Sequence, residues 1–454
     1  MNWIRTGRRC AGSSLNCKLG RWLIIALFLC FPGSLLARGL KGQISNYMLA
    51  QVRINSFSGS ILIARQGKVL VKECYRPEPR VSNGRCSVAK RYAVGSIAKQ
   101  FTAVAILQLR EAGKIKLRDS VCKYLTGCPT AWNGITILDL LEQTDGIPEK
   151  NTLSYATEAS RAELTVLKDL TPLRDKPLKF APGTRVKFGN SGYAVLSAVV
   201  ENVSGEPYFR YLRDHVFTPL GMYRTGPYIS RLQNVSTKWV TPPDLFMARP
   251  YAFAQVYSTV DDLYHWGGAF DTNTLMSKSS VHEMFAPRVD GYGFGWAILK
   301  QFGREAETQN GGFNLLSSSI RRYPQSRTYI VVLSDATNID ADKISRDLAA
   351  IIFDKHYEIP AQHHQVAIDP TLYDSYVGAY ETRLGLLLAV KRERDQLFIQ
   401  VAGHEEVQLI PASETRFYVS GLDTEINFVK GMNGQASELI LEQGDREIPL
   451  LRKS

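Results

Sequence analysis

The sequence predicts an α+β chain. One antiparallel sheet is flanked by helices, an all-helical subdomain lies beside it, and a small C-terminal antiparallel β barrel or sandwich follows. Three observations predict this. Strand-like runs at both ends of the first 355 residues enclose a stretch, up to about residue 280, whose apolar spacing is mostly helical. A polar segment bearing Pro360 and ending before Pro370 then interrupts the pattern. From Tyr376 onward short apolar runs alternate with Gly, Asp and Asn turns, the signature of a compact all-β unit.

In chain order, residues 1–41 carry Arg5, Arg8, Arg9, Lys18, Arg21, Arg38 and Lys41 and no acid. An apolar run from Trp22 to Phe31, then Pro32-Gly33 and Ala37, has the charged, hydrophobic and cleavage-region order of a secretory signal. The expectation is a signal peptide over 1–37. An uncleaved N-terminal anchor is the alternative, because Leu35 and Leu36 lengthen the apolar stretch. Gly59 to Ala64 and Val69 to Val71 read as strands around a turn at Gln66-Gly67. A helix starts at Ser96 and stops at Gly113. Strands return at Gly293 to Ile298, Leu315 to Arg321 and Tyr329 to Leu333, and a helix follows from Ala341 to Phe353. The main domain is therefore expected over 42–355, a linker over 356–369, and a β domain over 370–454 with strands near Leu386–Val390, Leu397–Val401, Arg416–Val419, Ile426–Val429 and Leu439–Leu441. His363-His364 falls in the linker and reads as exposed polar sequence.

Composition excludes several classes. Apolar content is ordinary and charge is mixed, which argues against disorder and coiled coil. The formal charge is +12, but the first 41 residues hold +7 of it, leaving +5 elsewhere. No basic stripe interleaved with aromatics is present, so no nucleic-acid partner is expected. Of seven cysteines, Cys10, Cys17 and Cys30 lie in the leader. The other four, Cys74, Cys86, Cys122 and Cys128, suggest two disulfides in an exported chain. Short loops favour Cys74–Cys86 and Cys122–Cys128, although four cysteines permit three pairings, and a reducing compartment would leave free thiols. No histidine stands at metal-site spacing to them, so no metal and no organic cofactor is expected.

Ser96-Ile97-Ala98-Lys99 carries the chemical signal. It opens the apolar run Phe101 to Leu109, which places Ser96 and Lys99 one helical turn apart on one face. A serine hydroxyl is a poor nucleophile until a base takes its proton, and an ammonium group in an apolar pocket loses its proton readily enough to become that base. The spacing alone selects nothing, since Ser87-Lys90 and Ser120-Lys123 share it. The first of these runs into a strand-like stretch, and the second is interrupted by Cys122 and followed by Gly127 and Pro129.

Further landmarks follow in order: Pro182-Gly183-Thr184-Arg185-Val186-Lys187-Phe188-Gly189-Asn190-Ser191-Gly192-Tyr193, Pro219-Leu220-Gly221-Met222, Tyr257 to Leu263, Tyr292-Gly293-Phe294-Gly295-Trp296, and Gln309-Asn310-Gly311-Gly312. With the Ser96 helix, residues 45 to 355 resemble the serine β-lactamase and penicillin-binding-protein superfamily in its class C, DD-peptidase and esterase-like branch. The segment opening Tyr376-Val377-Gly378-Ala379-Tyr380-Glu381 resembles the small β domain that often trails such proteins. The resemblance implies that Ser96 becomes acylated and that Lys99 takes its proton. The N–H groups of Ser96 and Gly312 would form the oxyanion hole. Asn190 would bond the substrate or Lys99, and Phe188, Gln309 and Gly311 would line the substrate site. Gly311 and Gly312 also fit without the family, because a strand approached closely by a ligand favours residues that lack side chains.

Two departures weigh on activity. The second motif of such proteins usually has Tyr or Ser two positions before its Asn; here that residue is Phe188. The third usually begins with Lys or His; here it begins with Gln309, which has no charge for a substrate carboxylate. Leu141-Glu142-Gln143-Thr144-Asp145-Gly146-Ile147 also stands where relatives often show His-Thr-Ser-Gly. Tyr193, Tyr292 and Trp296 read as structural. The expectation is an exported serine hydrolase, periplasmic or extracellular, acting on a peptide, ester or lactam carbonyl, with a small-molecule or peptide substrate. The rival is a non-catalytic protein of the same fold that binds cell-wall peptides or a partner. The membrane enters only through the possible anchor, and the sequence does not determine the oligomeric state.

Overall fold

The computed structural model describes residues 32–77, 86–149, 173, 176–227, 256–288, 291–313, 316–336, 339–360, 366–382, 387–401, 406–419, 424–443 and 446–453. Residues 1–31 of the expected leader and His363-His364 lie outside them; Pro32 to Ala37 form the start of the first helix.

The helices are α1 (Pro32–Asn55), α2 (Ala98–Glu111), α3 (Ile137–Leu141), α4 (Ser191–Ser204), α5 (Tyr208–Leu212), α6 (Val260–Ala269), α7 (Lys278–Phe285) and α8 (Ala341–Ile352). The strands of the main sheet are β1 (Gly59–Arg65), β2 (Lys68–Tyr75), β6 (Ala297–Gln301), β7 (Arg304–Phe313), β8 (Leu316–Tyr323) and β9 (Thr328–Ser334), and three short strands, β3 (Tyr92–Ala93), β4 (Gly226–Pro227) and β5 (Val256–Ser258), pair beside them. The six strands run antiparallel in the order β2-β1-β9-β8-β7-β6, which brings the two ends of the 59–334 stretch together at β1 and β9.

Both faces of this sheet are covered, so β1 is apolar almost throughout rather than alternating. Ile61, Ile63, Ile330 and Val332 pack against α1 and α8, whose Ile344, Leu348, Ile351 and Ile352 recur at helical spacing. Leu62, Ala64, Val331 and Leu333 face the helical subdomain. Helix α2 is the axis of that subdomain: Ala98 through Leu107 are all buried, against α4 and α5 among others. Burying each such Leu, Ile or Phe contributes about 1.5–3 kcal/mol, enough for the helix to sit centrally although Lys99, Gln100 and Thr102 are buried with them. The N-terminus of α2 is thereby held inside the protein.

After the polar stretch through Pro360, eight strands form a closed antiparallel barrel: β10 (Gly378–Glu381), β11 (Leu387–Glu393), β12 (Gln396–Val401), β13 (Val407–Pro411), β14 (Arg416–Val419), β15 (Glu425–Lys430), β16 (Ala436–Gln443) and β17 (Arg446–Arg452). Closure by β10 on β17 decides for a barrel over a sandwich. Inward residues alternate along the strands, as at Leu388 and Val390, Leu397 and Ile399, Phe417 and Val419, and Ile426 and Phe428. Tyr376 stacks on Phe428 at 4.5 Å.

Two expectations need correction. Gly293 to Trp296 is a turn, and the strand begins only at Ala297. Gly295 has φ +77°, and Gly293 N–H donates to Trp296 O at 2.7 Å, so the segment folds back onto the start of α2. The middle of the chain is also not purely helical, because β3, β4 and β5 form a small sheet there. The cysteines pair as the short loops suggested: Cys74 with Cys86 and Cys122 with Cys128, with Cα atoms 5.7 and 5.1 Å apart.

Candidate active site

Ser96 lies in a single 3₁₀ turn, Gly95–Ile97, that runs directly into α2. In 3₁₀ geometry positions i and i+3 eclipse, so Lys99 comes to stand over Ser96. The Lys99 ammonium donates to Ser96 Oγ at 2.8 Å and to Asn190 Oδ1 at 2.9 Å. Ser96 is partly exposed whereas Lys99 is 5% exposed. That burial pulls the Lys99 ammonium down to about 8, against an opposing contribution from the Glu149 carboxylate. The Tyr193 ring lies 6.0 Å from Lys99 Nζ.

The other two Ser-x-x-Lys pairs are built differently. Lys90 forms an ion pair with Asp335. Lys123 pairs with Asp119 at 2.6 Å, which holds it as an ammonium, and Ser120 Oγ is occupied in accepting Cys122 N–H. Only at Ser96 does the amine combine burial with a direct contact to its serine.

The glycine strand faces this turn. β6 pairs with β7 only as far as Thr308, so residues 309–313 are open on that side. Gly95, at φ +51°, sits against β7: a Cβ there would lie 3.0 Å from Gly312 N and 3.1 Å from Gly311 Cα. Gly311 meets the Val94 carbonyl so closely that any Cβ would overlap its oxygen. Ser318, paired with Gly311 across β7 and β8, donates to the same carbonyl at 2.9 Å. The N–H groups proposed for an oxyanion hole therefore belong to two segments in direct contact. Gln309 lies on the Gly311 face of β7, half-buried, with its amide donating to Asn310 O at 2.9 Å.

Phe188 does not fill a pocket. It is 59% exposed, and its ring meets Tyr292 edge-on at 5.0 Å. Tyr292, Trp296 and Tyr193 are buried, as expected for structural residues. Tyr193 donates to Leu141 O at 3.0 Å, and Tyr292 lies against Tyr193 and Gln143. The 141–149 stretch braces the Asn190 loop. Gln143, at φ +58°, accepts Lys187 N–H at its carbonyl and Gly189 N–H at Oε1, 2.6 Å away. Burial pushes the Asp145 carboxyl up to about 7. Glu149 Oε1 accepts Asn190 N–H at 2.9 Å and Ser191 N–H at 3.3 Å. Sequence reasoning missed Glu149: it stands 41 residues before Asn190 in no spacing pattern, and no local signal marks it.

A six-stranded antiparallel sheet whose β7 edge faces a Ser-x-x-Lys helix start, with a helical subdomain supplying an asparagine, defines the β-lactamase/transpeptidase-like class. This chain belongs to the β-lactamase family, whose model, described as Beta-lactamase, matches residues 51–353. It is similar to Penicillin-binding protein 4* of Bacillus subtilis (strain 168), 28% identical over 431 residues covering 87% of this chain and 94% of that protein. Among solved structures it resembles the octameric penicillin-binding protein homologue from Pyrococcus abyssi (TM-score 0.63, 21% identity, 90% of this chain and 99% of that one). It also resembles EstCE1, described as a hydrolase with promiscuous acyltransferase activity (TM-score 0.59, 20% identity, 70% and 100%).

Proposed function

We propose that this chain is an exported serine hydrolase that forms an acyl-enzyme on Ser96 from an ester, peptide amide or lactam. The observation that carries the reading is the Lys99 amine held 2.8 Å from Ser96 Oγ and 2.9 Å from Asn190 Oδ1 in a buried setting that lowers its proton affinity to about 8. Ser96 Oγ attacks the carbonyl carbon as its proton passes to neutral Lys99. The oxyanion is held by the N–H groups of Ser96 and Gly312. The carbon–leaving-group bond then breaks, and the leaving group takes the proton back from the Lys99 ammonium. Water then attacks the ester carbonyl, losing its proton to Lys99; the acyl–Oγ bond breaks, Ser96 Oγ takes that proton back from the Lys99 ammonium, and the acid departs. Gln309, neutral, fits a substrate that presents no free carboxylate to β7. The family relationship and the likeness to Penicillin-binding protein 4* support a hydrolase of this class.

Export is part of the same reading. Two disulfides suit an oxidising compartment. Among the described residues no helix is long and apolar enough to cross a membrane. We take residues 1–37 as the signal, 42–355 as the hydrolase domain, 356–369 as the linker and 370–454 as the β domain. Mass spectrometry of the mature N-terminus tests the signal, and an intact leader would refute cleavage.

The alternative, a non-catalytic binder of cell-wall peptides, is favoured by one observation: the ring of Phe188, two residues before Asn190, has no hydroxyl to relay a proton. A lost acid–base partner costs about 10²–10⁴ in rate. The test is incubation with a fluorophosphonate and with labelled penicillin, followed by peptide mapping. An adduct on Ser96 that vanishes in Ser96→Ala is expected, and Phe188→Tyr should label faster than the parent. Absence of adduct in both parent and Phe188→Tyr would give the protein to the binding reading.

A further inference from the structure

Asn190 occupies the N-cap position of α4, where an asparagine side chain ordinarily accepts a hydrogen bond from the helix's own first N–H groups. Here it makes no such bond, and its Oδ1 is turned to Lys99. The first donors of α4 go instead to Glu149, through Asn190 N–H and Ser191 N–H. The neighbourhood is shaped around that carboxylate. Gly189 leaves the space that Glu149 Oε1 fills, since a Cβ there would overlap it. Ser191 Oγ donates to Pro148 O at 3.0 Å, and Gly189 N–H goes to Gln143. Three consecutive N–H groups, from residues 189 to 191, are thus satisfied by side chains of one distant segment.

We propose that Glu149 is a positioning residue that caps α4 in place of Asn190, freeing the Asn190 carbonyl to hold Lys99 and setting a negative charge near the amine. A carboxylate suits this place because the start of a helix carries partial positive charge. The inference rests on the hydrolase reading for its kinetic consequence, but the cap itself does not. Among the described residues, the charged and titratable groups around the pair are Lys99 from α2, Tyr193 from α4, Asp145 and Glu149 from the 141–149 stretch, Tyr292 from the turn before β6, and Lys187 from the loop before α4. Removing the Glu149 charge makes the Lys99 ammonium less favourable, so its midpoint falls. Asp145, whose ionisation Glu149 opposes, then ionises more easily and offsets part of the change.

Two variants separate cap from charge. Glu149→Gln keeps an acceptor for the two N–H groups and removes the charge. Glu149→Ala removes both. In the full-length protein the pH midpoint of Ser96 labelling by a fluorophosphonate should move down by about half a unit in both variants. The plateau rate should fall about tenfold further in Glu149→Ala than in Glu149→Gln, because Asn190 turns back to cap the helix. The same midpoint is read without catalysis by NMR titration of Lys99 in protein labelled at lysine Cε, the signal assigned by its loss in Lys99→Arg. A midpoint unchanged or raised in Glu149→Gln overturns the role of the charge, and equal plateaus in the two variants overturn the cap. Failure of the parent to label at all counts against the hydrolase reading, while the NMR midpoint still decides the fate of Glu149.

Discussion

Replacing Lys99 with alanine should slow acylation of Ser96 by roughly 10²–10⁴ and flatten its dependence on pH. The parent should label with a rate that rises about tenfold per pH unit and levels off near pH 8. The sign follows from the role. The base must be neutral to accept the hydroxyl proton, and burial, by disfavouring the ammonium, brings its midpoint down to about 8. Below that value most of the protein holds a charged lysine that can only donate. With alanine, no other described group stands within hydrogen-bond reach of Ser96 Oγ to take over. Stopped-flow or quenched labelling with a fluorophosphonate across pH 6 to 10 makes the measurement. A Lys99→Ala variant that labels as fast as the parent, with the same pH profile, would remove the amine from the mechanism.

Gly311→Ala should be far more damaging than Gly312→Ala, although the two are neighbours on one strand. A methyl at 311 would occupy the space of the Val94 carbonyl oxygen and the Ser318 hydroxyl, whereas among the described residues the only atom near a methyl at 312 is Leu316 O, 3.9 Å away. Val94 O also accepts Ile97 N–H at 3.2 Å, so the carbonyl that would have to move is the one that closes the serine turn. Overpacking of this kind costs about 1–3 kcal/mol, and displacing a nucleophile by an ångström can cost about 10²-fold in rate. Thermal unfolding should show a lower midpoint for Gly311→Ala and little change for Gly312→Ala. Ser96 labelling should collapse in the former. Equal melting of both variants, with Ser96 still reactive in Gly311→Ala, would mean that the strand and the turn are not in the contact described.

Much of the architecture was legible locally. The Gln66-Gly67 turn, β1, β2, β9, α8 and five barrel strands follow from periodicity and turn residues, because side-chain alternation and helical spacing act over a few residues. Glycine-rich sequence was harder. Gly293 to Trp296 reads as strand from its aromatics, but Gly295 takes a left-handed conformation and packs where a Cβ would lie 3.0 Å from Gln100 Cα and N. The choice of turn over strand was made by that long-range contact. The barrel's closure was equally out of reach, since the pairing of β10 with β17 joins segments whose local pattern is the same in a barrel or a sandwich.

At the site the division is similar. By itself the sequence determined that a hydroxyl and an amine stand three residues apart at the head of an apolar helix, that two glycines follow on a strand, and that the hydroxyl-bearing and cationic residues usual in relatives are replaced by Phe188 and Gln309. It offered three Ser-x-x-Lys pairs on equal spacing. The helical run after Ser96 set that pair apart, and the tertiary structure adds a second distinction, by burying Lys99 and by giving Lys90 and Lys123 to the carboxylates of Asp335 and Asp119. It also exposed the Phe188 ring and handed the cap of α4 to Glu149. Spacing is a property of neighbours in the chain, whereas the protonation of an amine depends on solvent exclusion and on charges brought from far along it. Those arrive only when the sheet, the helices and the glycine strand close around Ser96 and Lys99.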